Sequence, residues 1–124
     1  MVFNLTVQEV YSIVSGLYEK AISQIGLRPE QAFAYVQDEA GSLCTSANVG
    51  LFAVLQTAIF GEGMKYGLEL SRKSPYAEEM LEGLARAYEK CSVDDLTEVG
   101  LEGERLAVMI DCMAQVREKY LLLK

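Results

Sequence analysis

The stretch GLFAVLQTAIFGEGMKYG, residues 50–67, decides the fold class because it is the most apolar part of the chain. Over residues 49–61 the only polar side chains are those of Gln56 and Thr57. A transmembrane helix needs roughly 20 apolar residues, and charged residues return here as early as Glu62. We therefore predict a helix that the rest of the protein surrounds on all sides, in water and with no membrane partner.

An amphipathic helix is predicted before this stretch, over residues 7–25. Its apolar side chains recur at three- and four-residue steps, which places them on one helical face. Thr6 and Glu9 form a capping-box pattern at the start of the helix, and Gly26 is a natural stop at its end. These signals together predict a helix of about five turns.

Further helices are predicted on both sides of the apolar one. A second helix begins at Pro29, and the polar run 45–48 indicates either a break or a kink before the apolar helix. A fourth helix restarts at Ser74 and Pro75. Residues 92–103 contain two aspartates and two glycines, which is typical of a short helical turn and a loop.

The last predicted helix carries a narrow apolar seam at alternating steps of three and four residues, which is the pattern that paired helices use. The seam consists of Leu106, Met109, Met113, Val116, Tyr120 and Leu123. No segment shows the period-two alternation of a strand. The sequence therefore predicts an all-α fold, a compact bundle of about five helices with a central apolar helix, in one domain over residues 1–124.

The composition excludes many enzyme classes. The chain has no histidine, so the commonest general base and the commonest transition-metal ligand are both missing. Its three cysteines, Cys44, Cys91 and Cys112, lie far apart, which favours reduced thiols in the cytoplasm. We expect no signal peptide, no cofactor and no metal ion.

The net charge of −7 comes from a single segment. Residues 78–104 contain nine acids and two bases, whereas the remaining acids and bases balance at nine each. An acidic protein repels phosphate, so we expect no direct binding of duplex nucleic acid. The acids either keep the protein soluble or dock a basic protein partner. We define the acidic face as Glu78, Glu79, Glu82, Asp94, Asp95 and Glu98.

Gly63 and Gly67 are spaced so that they share one face of a continuing helix. A glycine inside a helix costs ~1 kcal/mol relative to alanine, so the pair predicts close approach of another helix. That helix belongs either to the same chain or to a second subunit. The residues predicted to pack helices together or to form an interface are Gly63, Tyr66, Gly67, Leu106, Met109, Met113, Val116 and Tyr120.

The stretch EEMLE, residues 78–82, resembles the EExxE element of the MazG-like all-α nucleotide pyrophosphatases. The resemblance implies Mg²⁺ held on helix-borne carboxylates and hydrolysis of nucleoside triphosphates. The downstream ExxD element of that family has no counterpart, because residues 95–98 carry their acids in the reverse order. Glutamates in a first turn after a proline also match the helix dipole without any metal.

The sequence therefore favours a non-catalytic, cytoplasmic interaction or regulatory module that forms a homodimer and carries an acidic face. The alternative is a Mg²⁺-dependent nucleotide pyrophosphatase with an incomplete motif. An enzyme of that kind must bring several carboxylates from different helices to one point, whereas an interaction module scatters them over its surface.

Overall fold

A computed structural model describes residues 6–41, 49–68 and 77–123, with side chains described over 81–119 of the last range. The regular elements in these ranges are all helical: α1 (Val7–Glu19), a π-helical turn (Lys20–Ile25), α2 (Pro29–Ala40), α3 (Val49–Lys65), α4 (Ala77–Glu89), α5 (Val93–Glu98) and α6 (Gly103–Leu123). The prediction of an all-α fold is confirmed.

The N-terminal helix begins and ends where its sequence predicts. Thr6 Oγ1 accepts a hydrogen bond from Glu9 N at 3.1 Å, and Thr6 N donates to Glu9 Oε1 at 3.2 Å, which completes the capping box. Gly26 ends the helix in the left-handed region at φ 81°. The last turn before Gly26 is π-helical, a widening that the apolar pattern did not predict.

Helix α3 is the centre of the bundle. It packs against α1, α2, α4 and α5, which together bury most of its side chains. Its buried residues are Gly50, Leu51, Ala53, Val54, Leu55, Ala58, Ile59, Phe60, Glu62 and Gly63. This arrangement explains why the sequence is apolar around the whole helix, and it confirms the predicted central helix.

The end of α3 differs from the prediction. The helix stops at Lys65, and Gly67 lies beyond it at φ 101°. Leu68 N donates to Gly63 O at 2.9 Å and Gly67 N donates to Met64 O at 3.2 Å, which is the hydrogen-bond pattern of a Schellman motif. Gly63 and Gly67 therefore do not share a helical face, because Gly67 supplies the left-handed residue that ends the helix.

Helices α4, α5 and α6 form the other side of the bundle. Helix α6 packs along α4 and touches α5. The short α5 is capped by Ser92, whose Oγ accepts a hydrogen bond from Asp95 N at 3.2 Å. Within the described residues, the backbone of α6 does not pack against that of α1, and an open groove remains between these two helices.

Some predicted features lie outside the described residues. These are Cys44, the break at 45–48, and the restart at Ser74 and Pro75, together with the side chains of Glu78, Glu79, Tyr120 and Leu123. None of the helices in the described ranges has the combination of length and apolar character that crossing a bilayer requires.

Candidate functional site

A groove lies between α1 and α6 in the described ranges, floored in part by α3, with a volume of about 500 Å³. We call it the α1–α6 groove. Its lining consists of Val7, Gln8, Tyr11, Val54, Thr57, Leu101, Glu104, Arg105, Val108, Met109 and Cys112. The volume falls within the ~300–1,000 Å³ that ligand pockets usually have, and the lining is mostly apolar, which is also typical of them.

Burial separates the lining into three levels. The side chains of Val54, Leu101 and Met109 are buried and form an apolar floor. Half-buried side chains form the walls, and these are Val7, Tyr11, Thr57 and Cys112. Exposed side chains form the rim, and these are Gln8, Glu104, Arg105 and Val108.

A chain of hydrogen bonds supports the wall between α3 and α6. Thr57 Oγ1 donates to Ala53 O at 2.8 Å, and it also forms a hydrogen bond with the Tyr88 hydroxyl. The Cys112 thiol lies 3.7 Å from the Tyr88 hydroxyl and completes the chain. Burial raises the pKa of Tyr88 above its usual range, which keeps this hydroxyl protonated. The polar atoms of Thr57 and Cys112 are therefore already partnered within the protein.

Tyr11 supplies a polar group that is not partnered in this way. Its ring lines the groove, and its hydroxyl makes no hydrogen bond within the part of the chain that the structure describes. Burial raises the pKa of Tyr11, and the neighbouring Cys112 and Glu62 raise it further. At neutral pH this hydroxyl is therefore an uncharged hydrogen-bond donor on the groove wall.

The rim carries one cation and one anion. Arg105 is exposed and forms no ion pair with any residue of the described ranges. Glu104 precedes it on the same rim. Beside them the apolar side chain of Val108 is 63% exposed, although α6 buries Met109 at the next position.

The predicted glycine site lies on the opposite part of α3, against α1. Tyr18 donates from its hydroxyl to Ile59 O at 2.6 Å, and a Cβ at Gly63 would lie only 2.7 Å from that hydroxyl. The Tyr66 ring stacks on the Tyr18 ring with 5.6 Å between centroids. The close approach at Gly63 is therefore made within this chain, by a tyrosine of α1.

The predicted seam of α6 lies inside the molecule over its described side chains. Met109, Met113 and Val116 are buried, Leu106 is partly buried, and the helix packs along α4. Besides Met109, the groove is lined by α6 residues on a second line, one step away from the seam, at Arg105, Val108 and Cys112. Sequence analysis missed this line, although the apolar Val108 beside the seam was a signal for it.

The described residues of the acidic face are spread over two helices. On α4, the Glu82 carboxylate pairs with Arg86. On α5, Asp94 and Glu98 are exposed, and Asp95 accepts hydrogen bonds from Ser92 N at 2.8 Å and Ser92 Oγ at 2.9 Å. These two bonds lower the pKa of Asp95.

Among the described side chains, no three acidic or cysteine residues are grouped closely enough to hold a metal ion. Of the three glutamates in the EEMLE stretch, only Glu82 has a described side chain. Comparison with known proteins finds no family model, no curated protein and no solved structure that matches the chain.

Proposed function

We propose that the protein is a non-catalytic interaction or regulatory module, and that the α1–α6 groove is its binding surface. One observation carries this proposal: Val108 is exposed at the rim of a cavity whose floor is apolar and buried. Apolar side chains around a concave site are typical of binding surfaces, because leaving them in water is unfavourable. A bound partner removes this apolar surface from water.

The proposal is tested with N-phenyl-1-naphthylamine, an uncharged dye whose fluorescence rises in apolar sites. We expect wild-type protein to enhance the dye's fluorescence and Val108→Asp to abolish the enhancement, since the substitution replaces the one apolar side chain of the rim with a charged one. Ala114→Asp is the matched control, because Ala114 is exposed on α6 and outside the groove lining. Equal enhancement by the two variants, or none by the wild type, would contradict the proposal.

The absence of catalysis is tested separately. Purified protein is incubated with nucleoside triphosphates and Mg²⁺, and pyrophosphate release is measured. We expect no turnover. Turnover that Glu82→Gln abolishes would instead support the pyrophosphatase alternative, since Glu82 is the last acid of the EEMLE stretch.

We further propose a basic protein partner for the acidic face. Asp94 and Glu98 are exposed, and the chain carries a net charge of −7. Opposite charges accelerate association and align partners. Capture by immobilised protein at low and high salt tests this proposal, because a partner held equally well at both would contradict docking led by charge.

We place the protein in the cytoplasm. The described cysteines, Cys91 and Cys112, are free thiols, which supports a reducing compartment. Burial also raises the pKa of the Cys91 thiol, and this lowers its reactivity. Fractionation of cells that express the tagged chain tests this assignment.

A further inference from the structure

We propose that the α1–α6 groove binds a medium-chain aliphatic carboxylic acid, with the hydrocarbon chain on the apolar floor and the carboxylate at Arg105. This proposal rests on the proposed function, in which the groove is the binding surface. It names the chemical class of the ligand from the size, the polarity and the charge of the lining.

The size of the groove favours a small molecule. Its volume of about 500 Å³ equals the liquid volume of roughly 17 water molecules, which is enough for an aliphatic acid of medium length. An α-helix is about 10 Å across, so the same volume would hold roughly one turn of a partner helix. A single turn is too short for stable recognition of a helical peptide.

The interior of the groove favours a hydrocarbon chain. Val54, Leu101 and Met109 offer no side-chain hydrogen bonds to a ligand. Thr57 and Cys112 are bonded to Tyr88, so they place no unsatisfied polar atom on the wall. A polar ligand group would lose its water here without gaining a partner, whereas each methylene buried on this floor improves binding.

The free polar groups of the groove favour a carboxylate. The Tyr11 hydroxyl is an uncharged donor without a partner in the described part of the chain, and the Arg105 guanidinium carries several donors and a positive charge. A carboxylate accepts hydrogen bonds from both kinds of donor. Glu104 is the single acid among the lining residues, and it weakens the attraction of the rim for an anion.

The experiment compares decanoate, decanol and decylamine by isothermal titration calorimetry, each below the concentration at which it forms micelles. We expect decanoate to bind most tightly and decylamine most weakly. Octanoate should bind about tenfold more weakly than decanoate, because it buries two methylenes fewer. Decanoate should also displace N-phenyl-1-naphthylamine.

Variants of the rim test the position of the carboxylate. Arg105→Gln should weaken decanoate binding about tenfold and change decanol binding less than twofold. Arg117→Gln is the matched control, because Arg117 is exposed on the same helix and outside the groove lining. Glu104→Gln should tighten decanoate binding roughly twofold, since it removes a like charge.

Tyr11→Phe tests the second donor. We expect a loss of about threefold for decanoate, with Tyr35→Phe as the control, because Tyr35 is half-buried outside the groove lining. Circular dichroism of each variant verifies that it remains helical and folded.

The outcomes separate this proposal from the proposed function. If the dye binds in a manner that depends on Val108 but decanoate has no advantage over decanol, the carboxylate assignment is wrong and the groove remains a binding surface. Equal effects of Arg105→Gln and Arg117→Gln would overturn the assignment in the same way. If neither the dye nor any aliphatic ligand binds, the proposed function and the ligand assignment are both rejected.

Discussion

Tyr18 and Gly63 form a close side-chain fit between α1 and α3. The hydroxyl of Tyr18 is buried and bonded to Ile59 O, and it occupies the space in which any other residue at position 63 would place its Cβ. The ring is also fixed by stacking on Tyr66. Because interior side chains are closely packed, neither partner has free space into which to move.

We expect Gly63→Ala to lower the free energy of unfolding by about 1–3 kcal/mol, because overpacking the contact outweighs the gain in helix propensity. Gly61→Ala is the control on the same helix, where an added Cβ meets open space. That variant should gain up to about 1 kcal/mol. Urea denaturation of both variants measures the difference, and equal stabilisation by the two substitutions would contradict the assignment of a close contact at Gly63.

The buried tyrosines predict instability at alkaline pH. Burial raises the pKa of Tyr18 above its value of about 10 in the unfolded chain. The stability that this group contributes is therefore complete below about pH 10, and it is lost as the pH rises toward the folded-state pKa. Each such tyrosine lowers the unfolding free energy by a limiting slope of about 1.4 kcal/mol per pH unit.

Denaturation series between pH 8 and pH 11 measure this slope. Tyr18→Phe removes one titrating group, so its unfolding free energy should fall less steeply with pH than that of the wild type. Tyr35→Phe is the control, because Tyr35 is only half-buried and has more contact with water than Tyr18. A wild-type stability that is constant up to pH 11 would contradict the prediction.

At the scale of elements, α5 is held against the start of α3 by a second close approach. A Cβ at Gly50 would overlap the backbone carbonyl oxygen of Asp95 and touch Val99. The backbone of a capped helix cannot relieve such an overlap by changing rotamer, as a side chain can. Gly50 is therefore required for α5 to pack where it does.

We expect Gly50→Ala to lower the unfolding free energy by about 3 kcal/mol, toward the upper end of the range for overpacking. The chain contains no tryptophan, so unfolding in urea is followed by circular dichroism at 222 nm. Gly61→Ala again provides the control. A loss smaller than that of Gly63→Ala would mean that α5 shifts easily.

The helices that local sequence signals specify were predicted correctly. The capping box at Thr6 and the stop at Gly26 are local signals, and the apolar run of α3 needs no partner to be recognised. The π-helical turn and the end of α3 were not predictable in this way. The sequence does not distinguish a glycine inside a helix from a left-handed glycine that ends it. Only the backbone conformation shows that Gly67, and not Gly63, is the left-handed residue.

The groove depends on the whole molecule, and for this reason sequence analysis did not find it. Val7 and Tyr11 lie about a hundred residues before Val108 and Cys112, and no local pattern relates them. Periodicity correctly suggested that α6 pairs with another helix, but it could not show that α4 covers only one edge of it. The second apolar edge of α6 can be assigned to the groove only when the position of α1 across from it is known.

A homodimer remains our prediction at this scale. Several large apolar side chains are exposed outside the groove lining, and these are Ile25, Met64, Val93 and Ile110. Association would remove some of them from water. We expect sedimentation equilibrium to show a dimer, and Ile110→Glu to weaken it, because Ile110 is an exposed apolar residue of α6. A single 13.7 kDa species at high concentration would contradict the dimer.

Because more helices pack against α3 than against α6, we expect the two helices to open to solvent by different routes. Helix α3 contacts four other helices, whereas α6 contacts two within the described residues. Amide protons of α3 should therefore exchange with deuterated solvent only through global unfolding, and those in the first turns of α6 through smaller, more frequent local openings. A hydrocarbon chain bound in the groove would contact both α6 and α1. The exchange of these α6 amides would then slow toward the rate of the α3 amides.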